Sequence, residues 1–143
     1  MTKANSGIKE NVMGNRANIV CTSGLDRICF YSHWDGGDGM ARKLRDALNS
    51  PEGRGRYSDD AYLNRIVFDR IVGSQQGKET GYGISGRLCD NEYDLIHLSH
   101  DKQTVSLVKE SDFETMKARP NSEHSFESFA RLTDEQIEAM FAR

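Results

Sequence analysis

The spacing of hydrophobic and polar positions changes several times along this chain, and each change marks an element. Residues 1–14 are small, polar or charged without periodicity, which predicts a flexible lead-in. The run at 18–22, Asn-Ile-Val-Cys-Thr, reads as a strand, and Gly24 suits the turn that follows. A second strand is predicted over 27–34, with Ile28, Phe30, Ser32 and Trp34 on one face and Cys29, Tyr31 and His33 on the other. Large side chains on both faces predict a central strand covered on both sides. Trp34 is expected to be mostly buried against Met40 or Leu44.

The period then becomes helical. Met40, Leu44 and Leu48 share a face, with Asp38 or Gly39 as the expected N-cap and Pro51 stopping the helix. Residues 51–57 are expected to form a loop. Ser58 is the expected cap of a second helix, in which Leu63, Ile66, Val67 and Ile71 make an apolar stripe and Gly73 follows the end. Three further strands are predicted over 82–88, 93–99 and 104–109, the last two as a hairpin. Two helices close the chain, one over 125–132 and one opened by the capping box Thr133-Asp134-Glu135-Gln136.

The order ββααβββαα predicts an α+β fold, an antiparallel sheet of about five strands with helices mainly on one face. Residues 15–143 are expected to form one domain behind the 1–14 extension, which suits a length of 143 residues. No apolar run approaches the roughly 20 residues needed to cross a bilayer, so no membrane role is expected. The first sixteen residues lack the apolar stretch of a signal peptide, which predicts a cytoplasmic protein.

The formal net charge is −3, without the basic excess of a nonspecific nucleic-acid binder, so direct nucleic-acid binding is not expected. Residues 42–70 nevertheless hold seven basic side chains against five acidic ones. Within that stretch Arg54, Arg56 and Tyr57 lie in a Gly-rich segment and are candidate partner-binding residues. The three cysteines include no CxxC pair; Cys21 and Cys29 sit in apolar runs and read as small buried hydrophobes.

The densest cluster of chemistry is 31–39, Tyr-Ser-His-Trp-Asp-Gly-Gly-Asp-Gly, at a strand-to-helix junction. Glycines ahead of a helix N-terminus can admit an anion, so His33, Asp35, Gly36, Gly37 and Arg42 form a candidate ligand loop. Against this, Asp35 and Asp38 repel phosphate, and neither GxxxxGK[ST] nor GxGxxG is present. A metal site would draw on His33, Asp35 and Asp38, whose spacing matches no EF-hand, and HExxH is absent. No catalytic or metal-ligating residue and no cofactor is assigned from the sequence.

Three segments, 13–17 (Met-Gly-Asn-Arg-Ala), 31–37 (Tyr-Ser-His-Trp-Asp-Gly-Gly) and 81–84 (Gly-Tyr-Gly-Ile), together resemble a family of small bacteriophage and prophage proteins. Residues 90–95, Asp-Asn-Glu-Tyr-Asp-Leu, match a further strand of that family loosely. The resemblance covers about residues 13–108; the chain departs from it at Ser32, where the family carries Leu, and in the twelve residues before Met13. It implies a phage accessory protein acting in the host cytoplasm, a non-enzymatic inhibitor of a bacterial defence component in the manner of anti-CRISPR proteins. The implied partner is a host protein or ribonucleoprotein complex, and the oligomeric state stays open, a dimer included. A phosphate- or nucleotide-binding module and a small metal-dependent enzyme are the competing readings. The family supplies no catalytic residues to carry over.

Overall fold

A computed structural model describes residues 14–142. The fold is α+β. Among the described residues six strands form one mixed sheet in the order β3-β2-β1-β4-β5-β6. They are β1 (Ala17–Ser23), β2 (Asp26–Ser32), β3 (Tyr82–Ser85), β4 (Leu95–Ser99), β5 (Thr104–Val108) and β6 (His124–Ser125). Among the described residues the α-helices are α1 (Gly36–Asn49), α2 (Pro51–Arg54), α3 (Asp60–Val72), α4 (Phe126–Ala130) and α5 (Asp134–Phe141).

The expected all-antiparallel sheet of about five strands is corrected in two places. β1 pairs in parallel with β4, Ile19 opposite Ile96 and Cys21 opposite Leu98. The reason lies in β1 itself: Ala17 to Cys21 are buried on both faces, so the strand needs a neighbour on each edge. The hairpin with β2 supplies one and β4 the other. The sixth strand has only two residues, too few to leave a periodic signal.

One sheet face, built from Ala17, Ile19, Cys21, Phe30, Ile96, Leu98, Val105 and Leu107, packs under the helices. Met40, Leu44 and Leu48 of α1, Leu63, Val67 and Ile71 of α3, and Phe126 and Phe129 of α4 are wholly or almost wholly buried there. The other face carries a small cluster, Val20, Cys29, Leu95 and Val108, covered by Leu88, Phe113 and Met116 from loops. Cys21 and Cys29 are buried free thiols, as expected, and burial pushes the Cys29 thiol up to about 11.

The Thr133–Gln136 capping box forms, and Gly73 ends α3 at φ +55°. Asp59, not Ser58, caps α3 by accepting the Tyr62 N–H, one position later than expected. Residues 51–54 are not loop: Pro51 opens a helical turn, and the Ser50 hydroxyl accepts the Gly53 N–H at 3.0 Å. α1 starts at Gly36, ahead of both expected caps, with Asp35 in the cap position. Except for Gly14, which packs against the His33 ring, the expected 1–14 lead-in lies outside the described residues.

Candidate functional site

The strand-to-helix junction is organised by Ser32. Its hydroxyl accepts the N–H groups of Trp34 and Asp35 at 3.3 and 3.1 Å and donates to the Asp35 carboxylate at 2.8 Å. The chain turns there, which ends β2 two residues earlier than its apolar run suggests. Gly36 continues the turn at φ +68°, a conformation that L side chains rarely adopt. Its N–H donates to the Asn15 carbonyl at 2.9 Å. Gly37 is closely covered: a Cβ there would lie 2.6 Å from the Phe141 ring.

Four segments that are distant in sequence converge on this turn. The Asn15 N–H donates to the His33 carbonyl at 2.6 Å, and the His33 N–H to the Gly81 carbonyl at 2.8 Å. The Tyr93 hydroxyl donates to the Asn15 side-chain carbonyl. Tyr31 Oη and His33 Nδ1 are hydrogen-bonded at 2.7 Å, and burial pushes the Tyr31 phenol up. Segments 14–16, 31–37, 81–82 and 90–93 therefore form one packed cluster. Its function in the fold is cross-bracing: it ties the start of β1 to the end of β2 and to the loops flanking β3 and β4.

Trp34 departs from the expectation of burial. Trp34 is not part of the core that holds Met40 and Leu44, and the residue is 51% exposed. It is nevertheless held in place. The His33 ring meets it edge to face, with centres 4.4 Å apart and planes at 87°.

The charged residues around Trp34 are paired with one another. Lys43 Nζ donates to the Asp35 carboxylate at 3.0 Å and to the Ile71 carbonyl at 2.8 Å, and lies 5.3 Å from the centre of the Tyr82 ring. Arg42 pairs with Asp38 at 3.0 Å and with Glu138 at 3.5 Å. Arg45 pairs with Asp46 and Asp134 and donates to the Leu132 carbonyl, holding the start of α5. Trp34, Asp35, Arg42, Lys43 and Arg45 line a shallow groove of about 410 Å³. An anion here would have to displace carboxylates already seated on these cations, and the first N–H of α1 already has a carbonyl partner.

The second predicted group lies elsewhere. α1 has 14 residues, about 21 Å, and the Trp34 turn and the Arg54 segment occupy its opposite ends. Arg54 pairs with Glu127 at 2.8 Å, and its guanidinium holds that carboxyl below the usual range. Arg56 pairs with Asp59 and stacks 4.7 Å over the Tyr62 ring. Tyr57 is tied inward: its hydroxyl donates to the Leu48 carbonyl at 2.8 Å and its ring meets Phe126 edge-on.

Sequence reasoning missed Asn15 and Phe141 as parts of the junction, and Lys43, expected there to add charge for an anion, is held instead by Asp35 and the Ile71 carbonyl. Only Asn15 lay within a segment already singled out. Phe141 and Lys43 are ordinary helix positions whose partners are set by tertiary packing. No group of three or more His, Cys, Asp or Glu suited to a metal ion occurs among the described residues. No protein-family model, curated protein or solved structure matches this chain.

Proposed function

We propose that this chain is a non-enzymatic binding protein of phage or prophage origin that inhibits a component of a bacterial defence system in the host cytoplasm, and that Trp34 is the centre of its binding face. The observation that carries the binding face is the half-exposed, edge-stacked indole on a braced turn, while the phage origin and the defence target rest on the sequence resemblance alone. A tryptophan held in one orientation forfeits little entropy on binding, and tryptophan is enriched among interface hot spots. Arg42, Lys43 and Arg45 with their acidic partners supply a polar rim of mixed charge, which suits a protein surface better than a phosphate backbone. The target is a host protein or ribonucleoprotein complex, approached through its protein component. Arg54 and Arg56, at the far end of α1, are outlying contacts at most, and Tyr57 is structural. Plaquing of phage on hosts that express individual defence systems, with and without this protein, tests the reading; restored plaquing on one system is the expected result.

A second reading has one observation in its favour. A cavity of about 440 Å³ lies between the end of α3 and β3, lined by residues that include Phe68, Val72, Gly77, Lys78 and Tyr82. That is the size of a small-molecule site. A thermal-shift screen with nucleotides tests it: a ligand at a hundredfold excess over Kd adds about 2.7 kcal/mol of stability.

A further inference from the structure

Among the described residues β3 is the outermost strand on the β2 side of the sheet. Its free edge has a definite hydrogen-bonding phase. The His33 N–H donates to the Gly81 carbonyl, and the register pairs Tyr31 with Gly83 and Cys29 with Ser85. Opposed residues in an antiparallel pair alternate between exchanging hydrogen bonds and not. Gly81, Gly83 and Ser85 thus turn their backbone groups toward β2, and Tyr82 and Ile84 turn theirs outward. Ile84 also leaves 53% of its surface exposed, an unusual amount for an isoleucine on an edge strand.

We propose that this edge pairs with the β3 edge of a second copy of the same chain, antiparallel about a two-fold axis at Gly83, making one continuous sheet across a dimer. In that register each Tyr82 faces the second copy's Ile84, so the two residues with outward backbone groups exchange hydrogen bonds. Both side chains lie on the helix-side face, where each covers the other's apolar surface. A shift of one residue would oppose groups already used by β2. A shift of two would place Tyr82 against Tyr82 or Ile84 against Ile84. The dimer does not depend on the defence target proposed above.

The register gives a direct test. Gly83 faces its own copy at a position without exchanged hydrogen bonds, where Cα atoms come within about 4.5 Å, inside the range of a disulfide. A Cβ on Gly83 meets nothing within 4 Å, so Gly83→Cys is tolerated. The full chain should sediment at micromolar concentration with the mass of two chains. Ile84→Lys should weaken association by at least about tenfold while circular dichroism stays unchanged. In a Cys89→Ser background, with oxidised glutathione as electron acceptor, Gly83→Cys should form an interchain disulfide and Ile84→Cys should not. A monomer throughout the micromolar range, a dimer insensitive to Ile84→Lys, or a dimer that Gly83→Cys fails to cross-link would overturn the proposal.

Discussion

The Lys43 ammonium lies 3.0 Å from the Asp35 carboxylate, joining the turn after β2 to the second turn of α1. The same ammonium takes the Ile71 carbonyl at the end of α3, so one side chain fixes three segments. Lys43→Met should therefore cost about 1–2 kcal/mol in urea unfolding, more than an exposed ion pair. A double-mutant cycle with Asp35→Asn should return a coupling energy of about 1 kcal/mol. A value near zero would mean that the Ile71 contact alone holds Lys43.

Trp34→Ala should be mild in stability, about 1 kcal/mol by urea unfolding, because half the indole is already in water. A buried tryptophan would cost about 3–5 kcal/mol. A loss in that larger range would place Trp34 in the core and remove it from the binding face.

Much of this fold was legible in the sequence. The β1–β2 hairpin, the apolar faces of α1 and α3, the β4–β5 hairpin and the capping box at Thr133 all follow from period and turn chemistry. The parallel β1–β4 contact was not, because strand order is decided by which edges remain unsatisfied after the hairpin forms. The outward swing of Trp34 was hidden for a similar reason. The apolar run 27–34 reads as continuous strand, but the Ser32 hydroxyl captures two backbone N–H groups and bends the chain at that point. The segments that meet at the junction could be singled out one at a time, whereas their meeting is a property of the fold.

His97 gives a pH-dependent signature. It sits under the loops on the second sheet face, with Nε2 2.7 Å from the Thr22 hydroxyl. Burial, helped by Lys102 and Arg27, pulls its pKa down from 6.5 to about 4. Above pH 6.5 the ring is neutral in both folded and unfolded chains and contributes no slope. Between pH 6.5 and about 4 the unfolded chain holds the extra proton, so stability falls as pH falls. The loss from this residue should be on the order of 2 kcal/mol. His97→Gln should flatten that part of the curve relative to the native chain in urea titrations at each pH.

Arg119 and Asp94 form the most buried ion pair described, with Nε 2.5 Å from Oδ2 and the Asp94 side chain only 7% exposed. Arg119→Met should cost about 3 kcal/mol, since it takes the guanidinium away from a carboxylate that is almost wholly buried. The Arg119→Met, Asp94→Leu double variant should recover most of that loss in thermal unfolding. A single variant as stable as the native chain would show that the Asp94 carboxylate does not depend on the guanidinium.

The most direct measurement of the central claim compares three proteins in one assay: native chain, Trp34→Ala, and the Arg54→Ala, Arg56→Ala pair. Each is expressed in hosts carrying single bacterial defence systems, and phage plaquing is counted after circular dichroism has verified folding. The native chain should restore plaquing against one system. Trp34→Ala should lose that effect, and the Arg54→Ala, Arg56→Ala variant should keep most of it. A native chain that relieves no defence system, or a folded Trp34→Ala protein that restores plaquing as well as native, would contradict the account.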